Sequence, residues 1–169
     1  MQDPAAAPIP APFVSEGLVV LPEWIDLNGH MNVARYLAVF DLALDRVYPL
    51  FGFDPQEMAA ANAGTFTVEM HLTYRRELRQ GDALRVTTQL MGFDDQRCHY
   101  LQCMYHAAEG FLAATSEWLM VYVDLTRRRA AIIPAILQQR LARVCDAHAA
   151  LSAPPVVGRS VGLSNRRPG

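Results

Sequence analysis

The sequence is poor in cysteine, and the three cysteines it has do not form a pattern that stabilises small folds. Cys98, Cys103 and Cys145 are odd in number and include no Cys-x-x-Cys pair. This spacing predicts neither a disulfide framework nor a zinc site. We expect three small, buried, unpaired thiols in a reducing compartment.

The chain also lacks an excess of charge of one sign and any long apolar run. Its formal net charge is −2 and its pI is about 6.2, so a nucleic-acid or membrane-surface partner is not indicated. No apolar stretch approaches the ~18 uncharged residues of a membrane span. The Ala/Pro-rich start has no Lys or Arg and does not resemble a signal peptide. We therefore predict a cytoplasmic protein without a membrane or nucleic-acid partner.

The 169 residues fit one domain with one core. We predict a domain over residues 16–150. Residues 1–15 are rich in Ala and Pro, and residues 151–169 in Pro, Gly, Ser and Arg, so both are expected to be flexible.

Hydrophobic periodicity predicts a mixed order of strands and helices. Spacings of three and four predict one long helix, and a period of two predicts a strand in Thr65–Tyr74. The predicted elements are a strand in Gly17–Trp24, helices in Asn32–Leu50 and Met58–Ala63, strands in Thr65–Tyr74, Ala83–Phe93, Arg97–Ala107 and Phe111–Asp124, and a helix after Pro134.

The long helix is apolar almost all round, which predicts neighbours on most of its sides. A sheet of about five antiparallel strands wrapped around this helix, with an amphipathic helix at the C-terminal end, satisfies that need. The predicted fold class is α+β.

The stretch Trp24–Asn32 (WIDLNGHMN) combines an acid, two amides, a glycine and an imidazole immediately before the buried helix. Helix N-termini present free N–H groups and partial positive charge, which can stabilise an oxyanion. Asp26 could then attack a carbonyl or activate water, with Asn28 or His30 orienting the reacting groups. Equally, Asp26 and Asn28 are residue types that cap helices and form turns, and His30 can be structural.

Asp-x-x-Gly-His-x-Asn before an apolar helix resembles the hotdog-fold thioesterases of the 4-hydroxybenzoyl-CoA thioesterase group. Trp24–Tyr36 (WIDLNGHMNVARY) is similar to the betainyl-CoA thioesterase domain found with carnitine dehydrogenases. The same stretch and Tyr74-Arg75-Arg76-Glu77 are also similar to plant acyl-ACP thioesterases. The resemblance implies a hotdog fold, thioester hydrolysis and a homodimer or a dimer of dimers, with active sites at the subunit interface.

By position, this resemblance makes Asp26 the acid, Asn28 and His30 its neighbours and Glu77 a second carboxylate. The betainyl-like group instead carries Glu and His in the middle of the strand that corresponds to Thr65–Tyr74, at the positions of Glu69 and His71. Whether Glu77 or Glu69 assists Asp26 therefore stays open. Arg97 is a candidate for a CoA phosphate, although an exposed surface arginine is the simpler interpretation. The full set of predicted substrate-binding residues is Gly29, Met31, Asn32, Tyr36, Thr67, Glu69, His71 and Arg97.

Four aromatic side chains are candidates for lining an acyl pocket or surrounding a quaternary ammonium group. They are Trp24, Tyr36, Phe40 and Trp118. Core packing is the alternative for each of them.

The function predicted from these residues is acyl-CoA hydrolysis without metal or redox cofactor, coenzyme A being part of the substrate. One alternative is a hotdog enoyl-CoA hydratase, although those enzymes space the residues as Asp-x-Asn-Pro-x-His, whereas Gly29 stands here and His30 comes one residue sooner. Another is a non-catalytic acyl-CoA-binding protein. The acyl group, and the choice between CoA and acyl carrier protein, stay open.

Overall fold

A computed structural model describes residues 8–152 and 156–161. Its elements are β1 (Phe13–Val19), a 3-10 turn (Pro22–Trp24), α1 (Val33–Phe51), α2 (Pro55–Ala60), β2 (Ala63–Tyr74), β3 (Ala83–Phe93), β4 (Arg97–His106), β5 (Leu112–Asp124), β6 (Arg129–Ala130) and α3 (Ala135–His148). No helix within the described residues is long and apolar enough to cross a bilayer.

One antiparallel sheet carries the fold, with strand order β1-β3-β4-β5-β2 and the short β6 beside β5. The meander β3-β4-β5 forms because polar turns separate three strands whose alternate residues are apolar. The predicted α+β hotdog architecture is confirmed. Sequence reasoning did not find β6, which is two residues long.

Helix α1 packs on one face of the sheet and provides much of the core. Val39, Phe40, Ala43 and Phe51 are fully buried. The prediction that neighbours cover most sides of this helix is wrong for the single chain, because Val33, Leu42 and Leu50 stay 57%, 45% and 39% exposed. The side of α1 that carries Tyr36, Val39, Phe40, Ala43, Leu44, Val47 and Phe51 is the buried one.

The first strand begins and ends earlier than predicted. It spans Phe13–Val19, and Pro22–Trp24 forms a 3-10 turn, because Pro22 cannot donate to a sheet and fixes its own φ. The fully buried Phe13 ring contacts Phe51 and His148. Residues 13–15 are therefore part of the sheet, although we placed them in a flexible segment. Residues 1–7 of that segment lie outside the described residues.

Part of the C-terminal segment lies against the outer face of the sheet. Val156 is buried, and the Gly158 N–H donates to the Glu117 carboxylate at 2.9 Å. Residues 156–158 of the tail that is expected to be flexible thus contact the sheet through a buried apolar side chain and a charged acceptor. Residues 153–155 and 162–169 lie outside the described residues. All three cysteines are free, and Cys98 and Cys103 are buried, as predicted.

Candidate active site

A short hairpin before α1 holds the predicted acid. The N–H of Asp26 donates to the His30 carbonyl at 3.0 Å, and the Gly29 N–H donates to the Asp26 carbonyl at 3.0 Å. Ile25 and Met31 pair across the hairpin. Gly29 has a φ of +77°, and a Cβ added there would meet nothing within 4 Å. The turn therefore needs glycine for its backbone conformation, and not for space against a neighbouring group in this chain.

Asp26 is positioned by its own backbone. Its Oδ1 accepts the Asn28 N–H at 2.8 Å, and its Oδ2 lies 3.9 Å from Nδ1 of His30. The Asp26 side chain is 21% exposed and that of His30 is 35% exposed. Nδ1 of His30 also lies 3.1 Å from the Met31 carbonyl oxygen, to which it can donate. One carboxylate oxygen is thus held by the turn, while the other stays accessible beside an imidazole.

The hairpin is fixed to the start of α1 and to the segment after β2. The Met31 N–H donates to the Leu78 carbonyl at 2.8 Å, and the Leu78 N–H donates to Oη of Tyr36 at 3.2 Å. Asn32 caps the helix by accepting the Ala34 N–H at 3.0 Å. These contacts bring the end of β2 beside the helix N-terminus.

Most N–H groups at this helix end are already bonded within the protein. The N–H groups of Asn32 and Arg35 donate to the carbonyls of Trp24 and Asn32, at 2.8 and 2.9 Å, and that of Ala34 is used by the cap. The Val33 N–H takes part in none of these bonds, and Val33 lines the cleft described next. The helix end therefore offers one first-turn amide for a ligand oxygen, fewer than the three or four of an uncapped terminus.

A cleft of about 510 Å³ opens at this point. It brings together four predicted residues from the hairpin, two more predicted residues from α1 and the segment after β2, and four residues that sequence reasoning did not select, namely Val33, Tyr74, Arg75 and Arg76. The lining residues are Asp26, Asn28, His30, Met31, Val33, Tyr36, Tyr74, Arg75, Arg76 and Glu77.

Tyr36 and Tyr74 form an aromatic wall in the cleft. Their rings meet edge to face with centroids 5.2 Å apart, and Oη of Tyr74 donates to the Val33 carbonyl at 3.2 Å. Burial raises the pKa of both phenols above the ordinary value, so both stay protonated at neutral pH. Tyr74 stands in the Tyr-Arg-Arg-Glu stretch, whose resemblance identified Glu77 but not Tyr74.

The two candidates for a second carboxylate lie in different places. Glu77 lines the cleft and accepts a 2.6 Å hydrogen bond from Arg79. Glu69 and His71 lie on the opposite face of β2 from the core-packed Met70 and Leu72.

Glu69 and His71 line a separate depression of about 350 Å³. There His71 pairs across the sheet with Glu117, which lies 2.8 Å from Nε2 of His99. Within the single chain Glu69 and His71 therefore do not line the cleft of Asp26, because strand alternation directs them to the outer face.

The remaining candidates also lie outside the cleft. Thr67 pairs with Met120 in the sheet, and Arg97 donates two hydrogen bonds to Asp94, at 2.6 and 2.8 Å, at the β3–β4 turn. Phe40 and Trp118 are buried in the core, so core packing, the alternative to lining an acyl pocket, applies to both. Trp24 is partly buried against that core, which leaves Tyr36 as the predicted aromatic residue in the cleft.

Residues 20–141 match the model of the thioesterase-like superfamily. The chain belongs to this superfamily. The hairpin and cleft therefore lie in a thioesterase fold, and the prediction of a thioester hydrolase is confirmed at this level.

Named relatives and a solved structure agree with the family. The chain is 38% identical to a betainyl-CoA thioesterase of Pseudomonas aeruginosa over 85% of this chain and 91% of that protein. It is 35% identical to an L-carnitine dehydrogenase/betainyl-CoA thioesterase of Rhizobium meliloti over 82% of this chain, but spans 28% of that longer protein. A Staphylococcus aureus protein solved in complex with CoA superposes with a TM-score of 0.84 at 27% identity, covering 93% of this chain and 98% of that one.

Proposed function

We propose that this thioesterase hydrolyses acyl-CoA thioesters with Asp26 as the catalytic carboxylate. The observation that carries the proposal is the free Oδ2 of Asp26, which faces His30 in a cleft at the start of α1. The carboxylate either attacks the thioester carbonyl or removes a proton from an attacking water. In either route the carbon–sulfur bond breaks, and CoA leaves as a thiolate that takes up a proton. Attack by Asp26 itself leaves a mixed anhydride on its side chain, which water then hydrolyses to the free acid and the carboxylate; attack by water gives the free acid directly.

We infer that the Val33 N–H contributes to oxyanion stabilisation. It is the amide of the first helical turn that the hairpin and the cap leave available, and it lines the same cleft as Asp26. The positive end of the α1 dipole adds to its effect on a developing negative oxygen. Neither step uses a metal ion or a redox cofactor, so we propose that the reaction needs none.

We propose an acyl group that carries a quaternary ammonium, as in betainyl-CoA. Similarity to betainyl-CoA thioesterases supports this choice, and so do the cleft side chains. The face of an exposed aromatic ring attracts alkylated ammonium groups, and Tyr74 is 47% exposed. The Glu77 carboxylate lines the same cleft, paired with Arg79, and its charge favours a cationic acyl group over an anionic one.

We propose a homodimer formed through the free edge of β2. This strand is 12 residues long and ends the sheet path, so one of its edges has no strand partner among residues 8–152 and 156–161. Phe66 and Val68 on it are 42% and 56% exposed. A long apolar edge strand is a template for pairing with a second copy, and this pairing extends the sheet.

The test is thiol release from two matched substrates, betainyl-CoA and its neutral isostere 3,3-dimethylbutyryl-CoA. We expect hydrolysis of both, a higher kcat/KM for betainyl-CoA and no loss of activity with a chelator. Equal kcat/KM values would refute the cationic acyl group alone. If no acyl-CoA releases thiol, and crotonyl-CoA is hydrated instead, the hydrolase assignment fails.

A further inference from the structure

Two consecutive arginines line the cleft and take no part in the proposed chemistry. Arg75 and Arg76 directly follow the last residue of β2 and share the cleft with Asp26 and Glu77. The sequence contains no lysine, so every permanently charged cationic side chain is a guanidinium. Guanidinium groups bind phosphate through paired N–H donors.

Several other arginines are already committed to acidic side chains. Arg79 bonds Glu77 at 2.6 Å, and Arg97 bonds Asp94 at 2.6 Å. Arg76 is partly engaged, because it lies 3.6 Å from Glu109 and 3.9 Å above the ring of Phe111.

Arg75 differs from these arginines. Within the described part of the chain, no carboxylate lies within ion-pair distance of its guanidinium. Its backbone is nevertheless fixed, since its N–H donates to the Ala113 carbonyl at 2.8 Å. The cleft thus presents, on an anchored backbone, a cation that forms no ion pair within the described residues.

We propose that Arg75, assisted by Arg76, binds a phosphate group of the CoA part of the substrate. This inference rests on the proposed function. CoA is a polyanion, and the carboxylates of Asp26 and Glu77 in the cleft repel it. Two guanidinium groups at the same cleft offset that repulsion and leave the carboxylates free for the acyl end. Arg75 thereby takes the role that the sequence had suggested for Arg97.

The experiment compares Arg75→Ala with wild type on three thioesters of the same acyl group. They are the acyl-CoA, the acyl-4′-phosphopantetheine and the phosphate-free acyl-pantetheine. We expect the KM for acyl-CoA to rise by about tenfold or more, as for loss of a charged hydrogen bond, with kcat and the KM for acyl-pantetheine unchanged. Arg75→Lys should restore part of the affinity, since it keeps the charge but not the paired donors.

The phosphopantetheine substrate identifies which phosphate is bound. A raised KM with this substrate indicates the phosphate next to pantetheine, which acyl carrier proteins also have. A raised KM with acyl-CoA alone indicates the nucleotide phosphates. Arg97→Ala is the matched control and should change none of these values.

An equal rise of KM for acyl-CoA and acyl-pantetheine in Arg75→Ala, or no rise for either, would overturn the phosphate site. Titration with CoA itself separates this result from failure of the proposed function. If the wild type hydrolyses no thioester but Arg75→Ala weakens CoA binding, the site stands and the reaction does not. If the wild type hydrolyses no thioester and Arg75→Ala binds CoA as tightly as the wild type, both the phosphate site and the proposed reaction are refuted.

Discussion

The carboxylate of Asp26 accepts the backbone N–H of Asn28 at 2.8 Å, and this bond decides which of its oxygens can act. Oδ1 is used to close the turn, so Oδ2 is left beside His30. Asp26 can therefore both form the turn and act as a catalytic acid. The turn holds the carboxylate in place, and the cleft gives its second oxygen access to a substrate.

Two substitutions of Tyr74 separate the contribution of its ring from that of its hydroxyl. Tyr74→Ala removes a cleft wall, and we expect it to raise KM for betainyl-CoA several-fold more than for the neutral isostere, as for loss of a ~1–2 kcal/mol cation–π contact. Tyr74→Phe keeps the ring and should retain the preference. Its lost hydrogen bond to Val33 should cost about 1 kcal/mol in the free energy of unfolding. Parallel KM changes for both substrates in Tyr74→Ala would argue against the ammonium site.

The two candidates for a second carboxylate, Glu77 in the cleft and Glu69 on the outer face of β2, form a matched pair. Glu77→Gln removes a charge from the cleft, so kcat/KM for betainyl-CoA should fall while that for the neutral isostere changes less. Glu69→Gln removes a charge from the outer face and should leave both values within about twofold of wild type, as expected of a surface substitution. If Glu69→Gln impairs hydrolysis and Glu77→Gln does not, the outer depression contributes to the active site.

The free edge of β2 predicts the assembly. We expect the wild type to have about twice the chain mass of 18.8 kDa in light scattering. Phe66→Lys combined with Val68→Lys should shift it toward the chain mass, because charges on an edge strand oppose pairing. Ile136→Lys, at an exposed position on α3, is the control. A dimer that survives the double substitution places the interface elsewhere.

Because of the buried His148, we expect the folded protein to lose stability in acid. Leu90 donates its N–H to Nδ1 at 3.0 Å, and Nε2 lies 2.9 Å from the Pro10 carbonyl, to which it donates. Burial lowers the pKa of this imidazole below its ordinary value of 6.5. The folded state therefore disfavours protonation, so the free energy of unfolding should fall as pH drops below about 6.5 and level off below the folded pKa.

Urea unfolding at pH 8 and pH 5 measures this effect. His148→Gln cannot titrate, so it should be less stable than wild type at pH 8 but lose less stability on acidification. An equal loss in both proteins would show that other groups cause the acid sensitivity.

The sequence predicted the elements better than the surfaces between them. Strand β3 and the start of β4 match their predicted positions, because alternation and turn residues are local signals. The placement of Glu69 and His71 depends on which face of β2 meets α1, and the alternation in Thr65–Tyr74 does not determine that face. The N–H groups left at the start of α1 likewise depend on the carbonyls of Trp24 and Leu78, contacts that only the folded chain provides.

Asp26 was identified from residue types and resemblance, whereas Tyr74 and Arg75 were identified from the cleft. Tyr74 and Arg75 lie more than forty residues after Asp26 in the chain. Backbone bonds such as that from Met31 to Leu78 bring the two segments together. Long-range pairing of this kind leaves no periodic trace in the sequence, so the composition of the cleft could not be predicted in full.

The rate of acyl-CoA hydrolysis by Asp26→Asn tests the proposed role of Asp26 as the catalytic carboxylate most directly. The substitution keeps an oxygen that can accept the Asn28 N–H and removes the negative charge. We expect kcat to fall by ~10²-fold or more with the thermal unfolding temperature nearly unchanged. Turnover close to that of wild type would show that the thioester is cleaved without this carboxylate.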